Sequence, residues 1–204
     1  MTSKKALFLK WIKNLYYIHC AILAGIIVGA LPFIGKGVSW INTILSIGAI
    51  YCLYQLMPIS ERYHKAVLYM GISIVLGLLT KIVDVGLFSF AGSICSLVGL
   101  YQEFKGHSEL LLMIDGRLSK KWQTLFNWNI FGSIVVVLLG TPVLVAAAIA
   151  FLLDEMVISV LTIILVLGYE VILKIFYLRY LKRTHDVCEA YEYWADEVIG
   201  GEEI

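Results

Sequence analysis

Residues 15–34 read LYYIHCAILAGIIVGALPFI, twenty positions without one charged side chain. The hydrocarbon core of a bilayer is about 30 Å thick and is crossed by about 20 apolar residues in α-helix, so this stretch has the length and composition of one span. It is too long for the apolar core of a cleaved signal peptide, and no small-x-small cleavage site follows it. It is expected to remain in the chain.

The same ruler finds five more spans. Residues 38–57 and 85–102 are uncharged, 66–83 carries only Lys81, 128–152 is interrupted by Gly140-Thr141-Pro142, and 156–178 contains Glu170 and Lys174. The composition of all 204 residues agrees: 60% are hydrophobic and the mean hydropathy is +0.87, far above a soluble domain. A secreted disulfide scaffold, a disordered tail and a large soluble catalytic domain are all excluded, because no stretch outside the spans is long enough to bury its own core. The expected fold is all-α: a polytopic membrane protein with six transmembrane helices as three hairpins over residues 1–178. The last helix is expected to continue into the cytoplasm as an acidic helical tail, 179–204.

Orientation follows from the basic residues, since positive loops resist translocation. Lys4, Lys5, Lys10 and Lys13, then Arg62 and Lys65, then Lys105, Arg117, Lys120 and Lys121, then Arg179, Lys182 and Arg183 all fall on one side. The other side keeps Lys36 and Lys81 with Asp154 and Glu155. Both termini are therefore expected in the cytoplasm and the spans in the cytoplasmic (inner) membrane. Cys20, Cys52 and Cys95 lie within spans and Cys188 in the tail, so no disulfide is expected. Residues 46–55 and 93–102 share five identities in ten, which reads either as a duplicated hairpin or as the common interfacial use of Tyr and Gln.

Two wet segments are amphipathic. In the 103–127 loop, Leu110, Leu111, Ile114, Leu118, Trp122 and Leu125 recur every three or four residues, the pattern of a helix lying on the inner leaflet. The N-terminal arm, with Leu7, Phe8, Trp11 and Ile12, reads as a shorter interfacial element. After the sixth span, Tyr177, Leu181, Thr184, Cys188, Tyr191, Ala195 and Val198 step by four and three, a heptad seam. It can pack on the chain's own loops, on a second copy, or on a partner helix.

Catalytic signatures are missing: there is no HExxH, GxSxG or GxGxxG. Gly35-Lys36 lacks the spacing and the following Ser or Thr of a phosphate loop. His185, Asp186, Cys188 and Glu189 could be drawn as a metal cluster, but they fall on a solvated helix, so no metal or cofactor is expected. Net charge is +1 with the basic residues held at the membrane, which argues against direct nucleic acid binding.

The polar residues inside the spans are the functional candidates, because they are costly in lipid. Glu170 and Lys174 are spaced for an intrahelical ion pair. His19, Gln55 and Gln102 fall at a similar depth, which reads either as a polar vestibule lined by His19, Gln55, Gln102, Glu170 and Lys174 or as interfacial side chains that share a depth. Ala21, Gly25 and Gly29 form a small-xxx-small stripe suited to close helix packing. The leading expectation is a non-enzymatic integral membrane component, an anchor, sensor or pore-type subunit, that oligomerises or docks a cytoplasmic partner through the seam at Leu181, Cys188, Tyr191, Ala195 and Val198. The alternative is a small-solute transporter, or the substrate-binding subunit of one, using Glu170.

Overall fold

The computed structural model describes residues 4–29, 35–83, 86–135 and 155–191. Among them are six α-helices and no strand: α1 (Lys4–Gly29), α2 (Gly35–Leu56), α3 (Glu61–Ile82), α4 (Gly86–Leu111), α5 (Gly116–Val135) and α6 (Glu155–Ala190). The fold is all-α. Each helix packs on the one before and the one after, and α6 returns to α1, so the main contacts close a ring in chain order. Lys4–Gly29 and Glu61–Thr80 are long and apolar enough to cross a membrane, and Trp40–Leu56 is a shorter apolar helix. The expected break at Gly140-Thr141-Pro142 lies outside the described residues.

Two tight turns at one end of the ring are capped by side chains. Ser60 stands in extended backbone before α3, and its hydroxyl accepts from the backbone N–H of Arg62 at 3.2 Å. Asp115 does the same for α5, its Oδ1 accepting from the N–H groups of Arg117 and Leu118, both at 3.0 Å. Each cap satisfies N–H groups that a helix start leaves without partners. Between them, the 103–127 segment differs from the flat surface helix expected of it. Its first nine residues prolong α4, a turn follows at 112–114, and Gly116 opens α5 instead of interrupting a helix. Its apolar stripe turns inward: Leu110, Leu111, Leu118, Trp122 and Leu125 are all buried.

The core sits at this same end. Phe8, Ile12 and Leu15 from the start of α1 meet Cys52, Leu53 and Leu56 from the end of α2, Tyr63 and Ala66 from the start of α3, and Phe104 and Leu111 from the end of α4. Leu118 and Trp122 of α5 and Tyr177, Leu181 and Cys188 of α6 complete it. The arm from Lys4 to Lys13 is thus the first part of α1, with Phe8 and Ile12 in the core rather than in headgroups. Further along the helices, large apolar side chains such as Ile27, Ile44, Val75, Phe90 and Phe131 stand exposed. At 36 residues α6 is about 54 Å long, so it runs without a break from the expected sixth span into the tail, as far as Ala190.

Candidate functional site: a buried polar chain and the cavity above it

Glu103 and His107 are one helical turn apart on α4 and face the same way, into the ring. Both are buried, Glu103 at 2% exposure and His107 at 0%. Tyr177 of α6 donates its hydroxyl hydrogen to Glu103 Oε1. Tyr63 of α3 lies with its hydroxyl 2.9 Å from His107 Nδ1, and His107 Nε2 is 3.7 Å from Glu103 Oε1. His107 Nε2 has no hydrogen-bond partner of its own. Two buried hydrogen bonds, Tyr63–His107 and Tyr177–Glu103, therefore tie α3 and α6 to α4. Burial holds the Tyr63 phenol well above its ordinary value, with neighbouring Glu103 and Cys188 adding to the effect.

Trp122 packs these residues from α5, its ring 4.6 Å from His107 and 5.3 Å from Phe104, while its Nε1 donates to Thr184 Oγ1 at 3.0 Å. On the other side of Tyr177, the His19 ring of α1 meets it edge-on at 4.6 Å and Lys174 Nζ stands 5.0 Å over its face. His19 is 9% exposed and its Nδ1 has no hydrogen-bond partner.

Above Tyr177 opens a cavity of about 270 Å³. Its polar lining comes from His19 on α1, Glu103 on α4, Asn129 on α5, and Glu170 and Lys174 on α6. Three of the five expected vestibule residues, His19, Glu170 and Lys174, are thus brought together. Gln102 is not with them: its Oε1 accepts from Arg62 Nη1 at 3.3 Å, beside the two-pronged Arg62–Glu109 pair at 3.0 Å that holds the Arg62 guanidinium above its ordinary value. Gln55 is half-buried near the end of α2 and does not line the cavity either. Nor do Glu170 and Lys174 close the expected ion pair; among the described residues the Lys174 ammonium sits instead over the Tyr177 ring.

The heptad seam is used inside the chain. Leu181, Thr184 and Cys188 are all at 0% exposure, against α1 and α5, and Tyr191 is half-buried. Burial pushes the Cys188 thiol up to about 12. Lys5 of α1 reaches the end of α6 and donates to the backbone carbonyls of Glu189 and Tyr191 at 2.9 and 2.7 Å. Leu181 and Cys188 therefore do not form a free oligomer or partner surface; Ala195 and Val198 lie outside the described residues. Of the small-residue stripe, Gly25 packs so closely on α2 that a Cβ there would run into the Asn42 side chain. Ala21 is exposed and Gly29 ends α1. His185, Asp186 and Glu189 do converge, but at the surface, where His185 pairs with each acid at 3.4 and 3.8 Å.

The residues that the sequence pattern misses are Glu103, His107, Tyr63 and Asn129. Glu103 and His107 stand just past the last apolar residues of the expected fourth span, where an acid and an imidazole ordinarily meet water. The one available signal is their four-residue spacing, which puts them on one face. No family model, curated protein or solved structure matches this chain.

Proposed function

We propose that this chain is an integral membrane protein of six spans with both termini in the cytoplasm, and that it binds a small zwitterionic solute within the ring. Its role on this reading is that of a transporter, or of the solute-binding subunit of one, and not of an enzyme. The observation that carries the proposal is the meeting of His19, Glu170 and Lys174, from opposite ends of the sequence, with Glu103 and Asn129 around one cavity. Glu170 and Glu103 offer acceptors to an ammonium group, Lys174 offers a cation to a carboxylate, and the unpartnered His19 Nδ1 offers one further polar contact. Ionisable groups within spans are costly in lipid and tend to mark solute paths.

Exposed apolar side chains along the outer parts of α1 to α5 support the membrane reading, since such a surface suits lipid and not water. The pattern of burial supports it too. Apolar surface drives helices together only where water is present, and the tight core lies where the chain is expected to leave the hydrocarbon. Docking of a cytoplasmic partner, or assembly into a homo-oligomer, is the weaker reading, because Leu181 and Cys188 of the seam that suggested it are covered by α1 and α5.

The test is binding by the purified protein in detergent. Thermal unfolding is followed with glycine, lysine, glutamate and glycine betaine as probes, at concentrations from micromolar to tens of millimolar. A probe that binds the folded state at about 100 times its Kd stabilises it by about 2.7 kcal/mol. A zwitterion is expected to raise Tm in the wild type but not in Glu170→Gln, which keeps its shape. Equal shifts in both proteins, or none with any probe, overturn the proposal.

A further inference from the structure

We infer, resting on the solute-binding reading above, that a second cavity is the outer half of one continuous route to the charged site. The same geometry points to a ring that is closed toward the cytoplasm by Phe104, Trp122 and Tyr177.

The second cavity has a volume of about 430 Å³ and shares Leu100 and Asn129 with the first, so the two lie against the same two side chains of α4 and α5, and its Ser89, Ser93 and Ser96 stand exposed. Its polar lining is hydroxyl-rich and uncharged: Ser73 and Thr80 on α3, Ser89, Ser93 and Ser96 on α4, and Asn129 on α5. The serines and Thr80 lie in the expected third and fourth spans, on the far side of Leu100 from Glu103, and Asn129 lies at the start of the expected fifth. The Thr80 hydroxyl donates to the carbonyl of Gly77 at 2.8 Å and the Ser93 hydroxyl to that of Ser89 at 3.0 Å. Each hydroxyl proton is thereby taken up within its own helix, which leaves oxygen lone pairs for the cavity. A path lined by hydroxyl oxygens suits water and the ammonium end of a zwitterion, and it leads down to the two carboxylates.

Below the charged cavity the way is shut. Phe104 of α4, Trp122 of α5 and Tyr177 of α6 touch one another pairwise, with ring centroids 5.3, 5.6 and 5.4 Å apart. All three are buried, Trp122 completely. Three rings from three helices make a plug that opens only if those helices separate at their inner ends, and they are the ends held by the Tyr177–Glu103 and Trp122–Thr184 hydrogen bonds.

The experiment is cysteine accessibility in the full chain. Cys20 and Cys95, which are partly exposed, are replaced by Ala; Cys52 and Cys188 are buried and stay. Ser93→Cys, Ser96→Cys, the lipid-face control Ile94→Cys and the outer-end control Lys36→Cys are each treated with a charged, membrane-impermeant methanethiosulfonate, in right-side-out and in inverted vesicles. The expected result is labelling of Ser93→Cys and Ser96→Cys from outside at least tenfold faster than Ile94→Cys, and none from inside. If Lys36→Cys labels from outside while Ser93→Cys and Ser96→Cys react no faster than Ile94→Cys, the second cavity is a lipid-facing groove and the route is refuted with the topology intact. Equal labelling from both faces refutes the inner closure. If Lys36→Cys labels only from inside, the membrane topology fails and the route falls with it.

Discussion

Tyr177 on α6 gives its hydroxyl hydrogen to Glu103 on α4, and both side chains are buried. This contact links residues 74 apart in sequence and marks the floor of the charged cavity. A buried carboxylate deprived of a donor keeps its desolvation cost, about 1–3 kcal/mol or more for a charged group. Tyr177→Phe is therefore expected to lower Tm in detergent by several degrees. Glu103→Gln, whose amide oxygen still accepts from Tyr177, is expected to lower it by less. Thermal unfolding of the two single variants decides the order, and a larger loss in Glu103→Gln contradicts this ranking.

Gly132 of α5 faces Tyr169 of α6, whose hydroxyl donates to the Trp128 carbonyl. A Cβ at Gly132 would coincide with the Tyr169 phenol, a rigid group that cannot bend aside as a long flexible chain could. Overpacking of this kind costs about 1–3 kcal/mol. Gly132→Ala is expected to lower Tm, and adding Tyr169→Ala is expected to restore part of the loss by removing the ring. A double variant less stable than the sum of the two singles contradicts the clash.

The end of α6 holds the monomer together. Stopping the chain after Arg183 would remove Thr184, the acceptor of Trp122, together with Cys188 and both carbonyls that Lys5 binds. The truncated protein is expected to unfold at a clearly lower temperature, even where its oligomeric state is unchanged. Unchanged Tm with a changed oligomeric state would return the seam to an intermolecular role.

The sequence makes the helices and part of the site legible for the same reason. A run of about 20 mostly apolar residues reads as one long helix, and His19, Glu170 and Lys174 stand out as polar exceptions within such runs. Depth along a helix is readable in this way, but direction is not. Successive residues point about 100° apart, so Gln102 turns to Arg62 on α3 while Glu103 enters the ring. Hydropathy also ends α4 too early: it drops at Gln102, yet the helix runs on to Leu111 because Phe104, Leu110 and Leu111 find an apolar core. The heptad period of the tail was equally legible, since Leu181, Thr184 and Cys188 are buried in register. Period says that a strip needs cover. It does not say that α1 and α5 of the same chain provide it.

Cys188 gives that intramolecular cover a pH signature. Its thiol is pushed by burial from an ordinary 9.0 up to about 12, with nearby Lys5 opposing the shift. In the folded protein the thiol thus keeps its proton while the unfolded chain loses it, so the unfolded state binds fewer protons between about pH 9 and 12. Stability must then fall as pH rises through that window, by up to about 1.4 kcal/mol per pH unit for this one group, with no effect below about pH 8. Cys188→Ala removes the titrating group and is expected to show a shallower alkaline decline, the remainder arising partly from Tyr63, whose phenol burial shifts in the same direction. The check is Tm against pH for both proteins, together with thiol labelling at pH 8, where Cys188 should react only after unfolding. Rapid labelling of native Cys188, or identical alkaline slopes in wild type and variant, would show that the seam opens to solvent and is free to meet another chain.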